Sequence, residues 1–223
     1  VKRLKNSNSG IIAEHKRKSP SKQNINSYSS VIDIIKGYEN AGASGISVLT
    51  DKKYFGGSLE DLHLSKATSS IPLLRKEFIV DPYQIIESKA NGADVILLIA
   101  GILSKKEIKQ FSLSAKELGI EVLLEIHNKE ELEKSIMPSI DMIGVNNRNL
   151  KTFKVNLDVS RELSEYIPKE FLKISESGIN SIQSIGNLKS YGFDGFLVGE
   201  NFMKTKDPGK TALKFIKKLE DEA

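Results

Sequence analysis

GADVILLIAGILSKKEIKQFSLSAKELGIEVLLEI, residues 92–126, holds one full unit of this chain's organisation. Val95–Ile99 is a short continuous apolar run, the length of a strand buried on both faces. After it, Ile108, Phe111, Ala115 and Leu118 recur at the spacing of one helix face, and a second strand-like run follows at Glu121–Ile126. Gly92 and Gly119 stand where helix C-caps are expected, each just before a strand. Strand, helix and strand in that order predict two parallel strands joined by a right-handed crossover.

The unit repeats toward both ends. Upstream, the strand candidates are Ile11–Lys16, Gly45–Leu49 and Pro72–Lys76; downstream they are Met142–Val145, Leu172–Ser175 and Gly195–Val198. Val31, Ile34, Ile35 and Tyr38 mark an early helix face, and Ala212, Phe215, Ile216 and Leu219 mark the last one. Eight such units favour a closed (β/α)8 TIM barrel over an open doubly wound sheet. The glycine-rich dinucleotide fingerprint that would follow the first strand of the open alternative is absent. With no linker, low-complexity tract or solenoid repeat, residues 1–223 read as one barrel domain.

Composition narrows the chemistry. Apolar residues make up 39% of the 223, enough for a real core. The absence of cysteine excludes a disulfide framework and thiolate catalysis and fits a reducing cytoplasm. The longest apolar run, Val95–Ala100, is far too short to span a membrane, and the lysine-rich start lacks the apolar stretch of a signal peptide. The net charge of +4 comes from lysines scattered over helical segments. A nucleic-acid binder would gather them into a patch, whereas a mild excess suits a small anionic substrate.

In such a barrel the site lies at the C-terminal ends of the strands. The polar residues found there are Glu14 and Lys16, Thr50 and Asp51, Lys76, Glu125, Asn146 and Arg148, Glu176 and Ser177, and Gly199. Glu14 and Lys16 are two apart and share a strand face, so His15 points toward the helices and reads as a packing histidine. His127 shares the face of Glu125 farther out, and His63 falls in a helix. Three histidines at unrelated positions make a poor metal site, and no nucleophile elbow is present. Two late glycine turns, Ser177-Gly178 and Gly199-Glu200, follow the seventh and eighth strands, the usual phosphate site of this fold. A short helix beginning at such a turn would aim free N–H groups at an anion.

These residues fall in a set of motifs: IAEHKRKSPS (12–21), SVLTD (47–51), LRKEFI (74–79), ADVILL (93–98), GVNNRNL (144–150), ESG (176–178) and LVGE (197–200). In that order, from Ile11 onward, the chain resembles the indole-3-glycerol-phosphate synthases. The resemblance implies ring closure of 1-(2-carboxyphenylamino)-1-deoxyribulose 5-phosphate with loss of carbon dioxide and water, in tryptophan biosynthesis, without cofactor; the strand-end residues offer no metal-ligand cluster, so activity without metal is expected as well. It implies Lys76 as general acid for ring closure, Lys16 at the substrate carboxylate and carbonyl, Glu125 in dehydration, and Glu14 supporting the lysines; it does not fix which lysine acts at which step. Asn146, Arg148 and Glu176 match groups that orient the substrate. Phe78, Leu97, Leu150 and Val198 match the apolar walls, and Ser19, Ser177, Gly178, Gly199 and Glu200 match the phosphate cradle.

Glu77, Gln23 and Asn201 depart from the family's usual Asp, Gly and small residue. The family's helical extension before the first strand has almost no counterpart in this chain, which is therefore expected to be shortened at its N-terminus. A cytoplasmic monomer is expected, acting on a small phosphorylated anion, with no nucleic-acid or membrane partner; association with other tryptophan-pathway enzymes stays open. Two rivals stand beside this reading. One is another phosphate-binding barrel enzyme of the pathway, and the other is a non-catalytic barrel that only binds a phosphate ligand.

Overall fold

A computed structural model of the chain describes residues 1–222. A one-turn helix, α1 (Lys2–Lys5), precedes β1 (Ile11–His15) and α2 (Val31–Asn40). The next units are β2 (Gly45–Leu49) with α3 (Lys52–Phe55) and α4 (Leu59–Thr68), β3 (Leu73–Lys76) with α5 (Tyr83–Ala90), and β4 (Val95–Ile99) with α6 (Lys105–Glu117). Then come β5 (Glu121–Ile126) with α7 (Lys129–Ser135), β6 (Met142–Asn146) with α8 (Asp158–Ser164), and β7 (Leu172–Glu176) with α9 (Ile182–Ser190). β8 (Gly195–Val198), α10 (Glu200–Met203) and α11 (Pro208–Asp221) complete the chain.

The strands pair in sequence order, all parallel. β8 returns to β1 through Ile11↔Phe196, Ile12↔Leu197 and Ala13↔Val198, which closes the barrel. This is the single (β/α)8 barrel that the repeated unit predicts. The helices start where the sequence supplies caps. The Ser104 side chain accepts from Glu107 N–H while the Glu107 carboxylate accepts from Ser104 N–H, and Ser30, Ser58, Asn128 and Ser181 each cap a further helix.

Alternation along each strand divides the apolar residues into two cores. One fills the layer between strands and helices, with Ile11, Ala13, Ile46, Ile96, Leu98 and Phe196 among its members. The other fills the barrel interior with Ile12, Leu74, Val95, Leu97, Leu123, Met142, Leu172, Ile174 and Leu197, and α1 adds Leu4. Leu4 comes within reach of Gly195 at the start of β8, so the segment before β1 stops the end of the barrel where the strands begin.

Strand limits differ from the sequence reading in four strands. β1 ends at His15, which leaves Lys16 in the first loop. β6 and β7 each run one residue farther, taking in Asn146 and Glu176, because the ladder continues through Asn146↔Glu176 and the Asn147 N–H donates to the Glu176 carbonyl at 2.9 Å. β3 starts one residue later than predicted, at Leu73. No helix among the described residues is long and apolar enough to cross a membrane.

Candidate active site

Beyond the apolar interior, the inward positions near the strand ends turn ionic. Glu14, Glu125 and Glu176 are each at most 4% exposed. The Lys76 ammonium sits between two of them, donating to Glu125 Oε2 at 3.2 Å and to Glu176 Oε2. Lys16 pairs with Glu14 Oε1 at 2.8 Å, and the Ser47 hydroxyl reaches the other Glu14 oxygen at 3.4 Å. Two glycines make room for these carboxylates. A Cβ on Gly144 would lie 2.3 Å from Glu176 Oε1, and one on Gly199 would lie 2.5 Å from Glu14 Oε1.

Placing three carboxylates together in a poorly solvated space pulls their proton affinities apart. Burial, then the Glu125 and Glu14 charges, push the Glu176 carboxyl up to about 7 against the pull of Lys76. Glu125 goes the other way. Burial would raise it, but Lys76, His127 and a hydrogen bond from Asn146 hold it below the usual carboxylate range. Burial alone would lower Lys76, but the Glu176 and Glu125 charges more than offset this and hold its proton more tightly than usual.

The cluster opens into a cavity of about 610 Å3. Its floor carries Glu14, Lys16, Lys76, Glu125, Asn146 and Glu176, and Phe78, Leu97, Leu150 and Val198 supply apolar wall. Ser19, Arg148, Ser177, Gly178, Gly199 and Glu200 lie around the same space. The folding thus gathers every catalytic and binding position implied by the resemblance into one cavity, together with Asp51, whereas Thr50 is not in its lining: its hydroxyl donates to Glu77 and accepts from Arg75.

The two glycine turns are built differently. After β8, Gly199 caps α10, and its carbonyl accepts from Phe202 and Met203, so the first N–H groups of that helix are left to face outward. After β7 the helix expected at Gly178 does not start there. Ser177 (φ 67°) and Gly178 (φ 80°) both adopt left-handed backbone, and α9 begins only at Ile182 under its Ser181 cap. Successive left-handed residues cannot continue a right-handed helix, so this half of the cradle is a turn.

Some contributors carry little signal in the sequence. Asn147 is buried at the β6 end. Its amide N–H groups reach Ser175 Oγ, the Glu176 carbonyl and the Ser177 carbonyl at 2.9–3.1 Å, and its oxygen accepts from Ser160 N and Oγ. It ties the loops after β6 and β7 together. Phe55 from α3 and Phe153 from the loop after β6 add aromatic wall. Arg75, outward-facing and buried, binds Thr50, Gln84, Ser88 and Glu87 and fixes β3 behind Lys76. Only the adjacency of Asn147 to Asn146 could have pointed to the first of these.

The histidines fall as the alternation predicts. His15 is buried toward the helices, where burial and Arg17 lower it to about 4, and His63 is exposed. Among the described residues, no group of three or more His, Cys, Asp or Glu side chains is arranged to hold a metal ion.

A family model described as indole-3-glycerol phosphate synthase matches residues 1–216 of the chain. A protein of that name from Bacteroides thetaiotaomicron is 46% identical over 97% of this chain and 83% of its own length. Relatives of the same name from Koribacter versatilis and Campylobacter jejuni are 44% and 47% identical, each over 92% of this chain and 79% and 80% of their own lengths. Among solved structures, 3-hexulose-6-phosphate synthase from Salmonella typhimurium superposes with a TM-score of 0.72 at 14% identity, covering 96% of this chain and 100% of that one. A chain of the tryptophan synthase complex from Pyrococcus furiosus gives 0.69 at 16% identity, covering 95% and 97%. At such identities these two structures speak to the fold alone.

Proposed function

The chain belongs to the indole-3-glycerol phosphate synthase family, and we propose that it closes the indole ring at the charged barrel mouth, with Lys76 as the proton donor. The substrate, 1-(2-carboxyphenylamino)-1-deoxyribulose 5-phosphate, is converted to indole-3-glycerol phosphate, carbon dioxide and water. The aromatic carbon bearing the carboxylate attacks the ketone carbon, and the ketone oxygen gathers negative charge. An ammonium beside that oxygen stabilises the charge and supplies the proton. Pairing with two carboxylates keeps Lys76 charged, and a nascent alkoxide is basic enough to take its proton. Loss of carbon dioxide then restores the aromatic ring. The new hydroxyl takes up a proton and leaves as water, while a carboxylate accepts the proton lost from the adjoining carbon of the new ring. Glu125, which is held ionised, takes that role.

Lys16 faces the substrate carboxylate and carbonyl, held by Glu14. Asn146, Arg148 and Glu176 orient the ligand, and Phe78, Leu97, Leu150 and Val198 pack its ring. The phosphate lies against the backbone of Ser177, Gly178, Gly199 and Glu200, with Ser19 reaching in from the first loop. The observation that carries this reading is the Lys76 ammonium held between Glu125 and Glu176 on the cavity floor. The reading extends to a cytoplasmic location, for which the missing cysteines are the support. Indole fluorescence on adding the named substrate tests the activity, and no product at high enzyme concentration would refute it. Crystals soaked in phosphate should show density beside Gly178 and Gly199; an empty cradle at saturating phosphate would count against that anchor.

A further inference from the structure

The inward alternation of β5 does not stop at Glu125. Leu123 and Glu125 are followed on the same face by His127, just past the strand end. Its ring is 14% exposed and is not part of the cavity wall. The ring is held from outside the barrel mouth. Nδ1 lies 3.2 Å from Glu131 Oε2, and the same oxygen accepts the His127 backbone N–H at 2.8 Å. Glu131 is in turn fixed in the first turn of α7, where its N–H donates to the capping Asn128 side chain at 2.8 Å. The other ring nitrogen, Nε2, points back to Glu125 Oε1 at 3.5 Å and has no hydrogen-bond partner among the described residues. The opposite Glu125 oxygen is the one Lys76 holds.

We propose that His127 is a positioning residue for Glu125. Oriented by Glu131, it directs an N–H at the carboxylate oxygen that Lys76 leaves free, and so keeps Glu125 ionised and aimed through the dehydration step. The inference rests on the role proposed above for Glu125. A movement of a few tenths of an ångström converts the 3.5 Å approach into a hydrogen bond.

The groups facing this pair come from several elements. Glu125 on its own strand, Glu131 from α7 and Glu176 from β7 face the imidazole; Lys76 from β3 and Asn146 from β6 face Glu125. Burial opposes the imidazolium, but the Glu131 hydrogen bond and the surrounding carboxylates outweigh it, so His127 holds its proton to higher pH than an ordinary histidine. The charged ring can donate from both nitrogens at once, to Glu131 and to Glu125. Once the ring is neutral and its remaining proton faces Glu131, a lone pair faces the Glu125 carboxylate instead.

The test is the pH dependence of kcat and KM for wild type, His127→Phe, His127→Gln, Glu131→Gln and Glu125→Gln, each checked for fold by circular dichroism. His127→Phe should lower kcat about tenfold, the lower end of what a hydrogen bond to a charged group carries, with KM within about twofold. The acid limb of kcat should move to higher pH as Glu125 loses a donor. His127→Gln, whose amide can reach the same oxygen, should recover part of kcat, and Glu131→Gln should move the basic limb to lower pH. A folded His127→Phe with wild-type kcat and pH profile, beside a crippled Glu125→Gln, would overturn the inference and leave the role of Glu125 standing. An unimpaired Glu125→Gln would overturn both, and is visible separately. Should His127→Phe not fold, NMR titration of the His127 ring decides. Its pKa should fall by about one unit in Glu125→Gln, and an unchanged value would overturn the inference.

Discussion

The two ends of this barrel are made from the same eight strands in one unbroken register, yet their interiors have almost nothing in common. Where the strands begin, Leu4, Ile12, Val95, Met142 and Leu172 fill the space with hydrocarbon. Where they end, Glu14, Lys76, Glu125 and Glu176 fill it with charge. The apolar end gains free energy with each side chain removed from water. The ionic end carries like charges that burial makes costly, and the cluster shows that cost in the proton Glu176 holds to about pH 7. Stability and chemistry are therefore segregated along one axis. A change at the apolar end should be felt mainly in unfolding, and a change at the ionic end mainly in turnover.

The sharpest way to break that contrast is at Lys76. Lys76→Ala should lower kcat by roughly 10²–10⁴-fold, the usual contribution of a general acid, while thermal unfolding stays cooperative. Near-normal kcat would remove Lys76 from the mechanism; a loss of cooperative unfolding would show that the ionic end also supports the fold. Gly144→Ala asks whether the mouth can be damaged without touching a polar group. The added methyl must displace the Glu176 carboxylate, and a shift of about 1 Å there should lower kcat by about 10²-fold. Turnover within twofold of wild type would mean that the carboxylate has room to move.

Leu4→Ala probes the other end. Removing a side chain that is 8% exposed from the barrel stop should cost about 2–3 kcal/mol in urea unfolding and leave kcat and KM unchanged. A change in kcat of more than a few-fold would show the ends to be coupled. The last effect is confined to acid pH and arises outside the barrel interior, at His15 on the helix-facing side of β1. Its pKa is lowered to about 4 in the folded chain against an ordinary 6.5, so the unfolded chain binds the extra proton first as pH falls. The stability His15 contributes is present above pH 6.5 and is lost progressively as pH drops toward 4, by at most about 2–3 kcal/mol. His15→Phe should flatten that part of the stability profile without altering turnover at about pH 7.5, above both values; a profile of unchanged slope would place the acid sensitivity elsewhere.

The barrel was legible because its evidence is local. Runs such as Val95–Ile99 and helix faces such as Ile108, Phe111 and Ala115 announce themselves within one window, and an alternation of two is enough to send Glu14 inward and His15 outward. The strand-end charges were legible for the same reason, helped by motif order. What stayed hidden depends on contacts between distant segments. Asn147 meets Ser175 and Ser160, each more than ten residues away, and nothing in its neighbours announces either. The turn at Ser177-Gly178 reads like the one at Gly199, but packing of Val155 against Gly178 belongs to the loop after β6, and α9 waits for its own serine cap. His127 was visible as sharing a face with Glu125, but its partner Glu131 lies in the first turn of α7, beyond what strand alternation can tell.

Gly199 contributes no functional group, only a missing one, and Glu14 lies in the volume it vacates. That widens the genetic target of the site beyond its ionisable residues. A codon for glycine becomes one for alanine by a single base change, and such a lineage would keep its net charge, its hydropathy and all of its acids and bases. Any reading that scores a barrel by its lysines and glutamates would pass that descendant as intact, although the seat of the carboxylate that holds Lys16 had been filled.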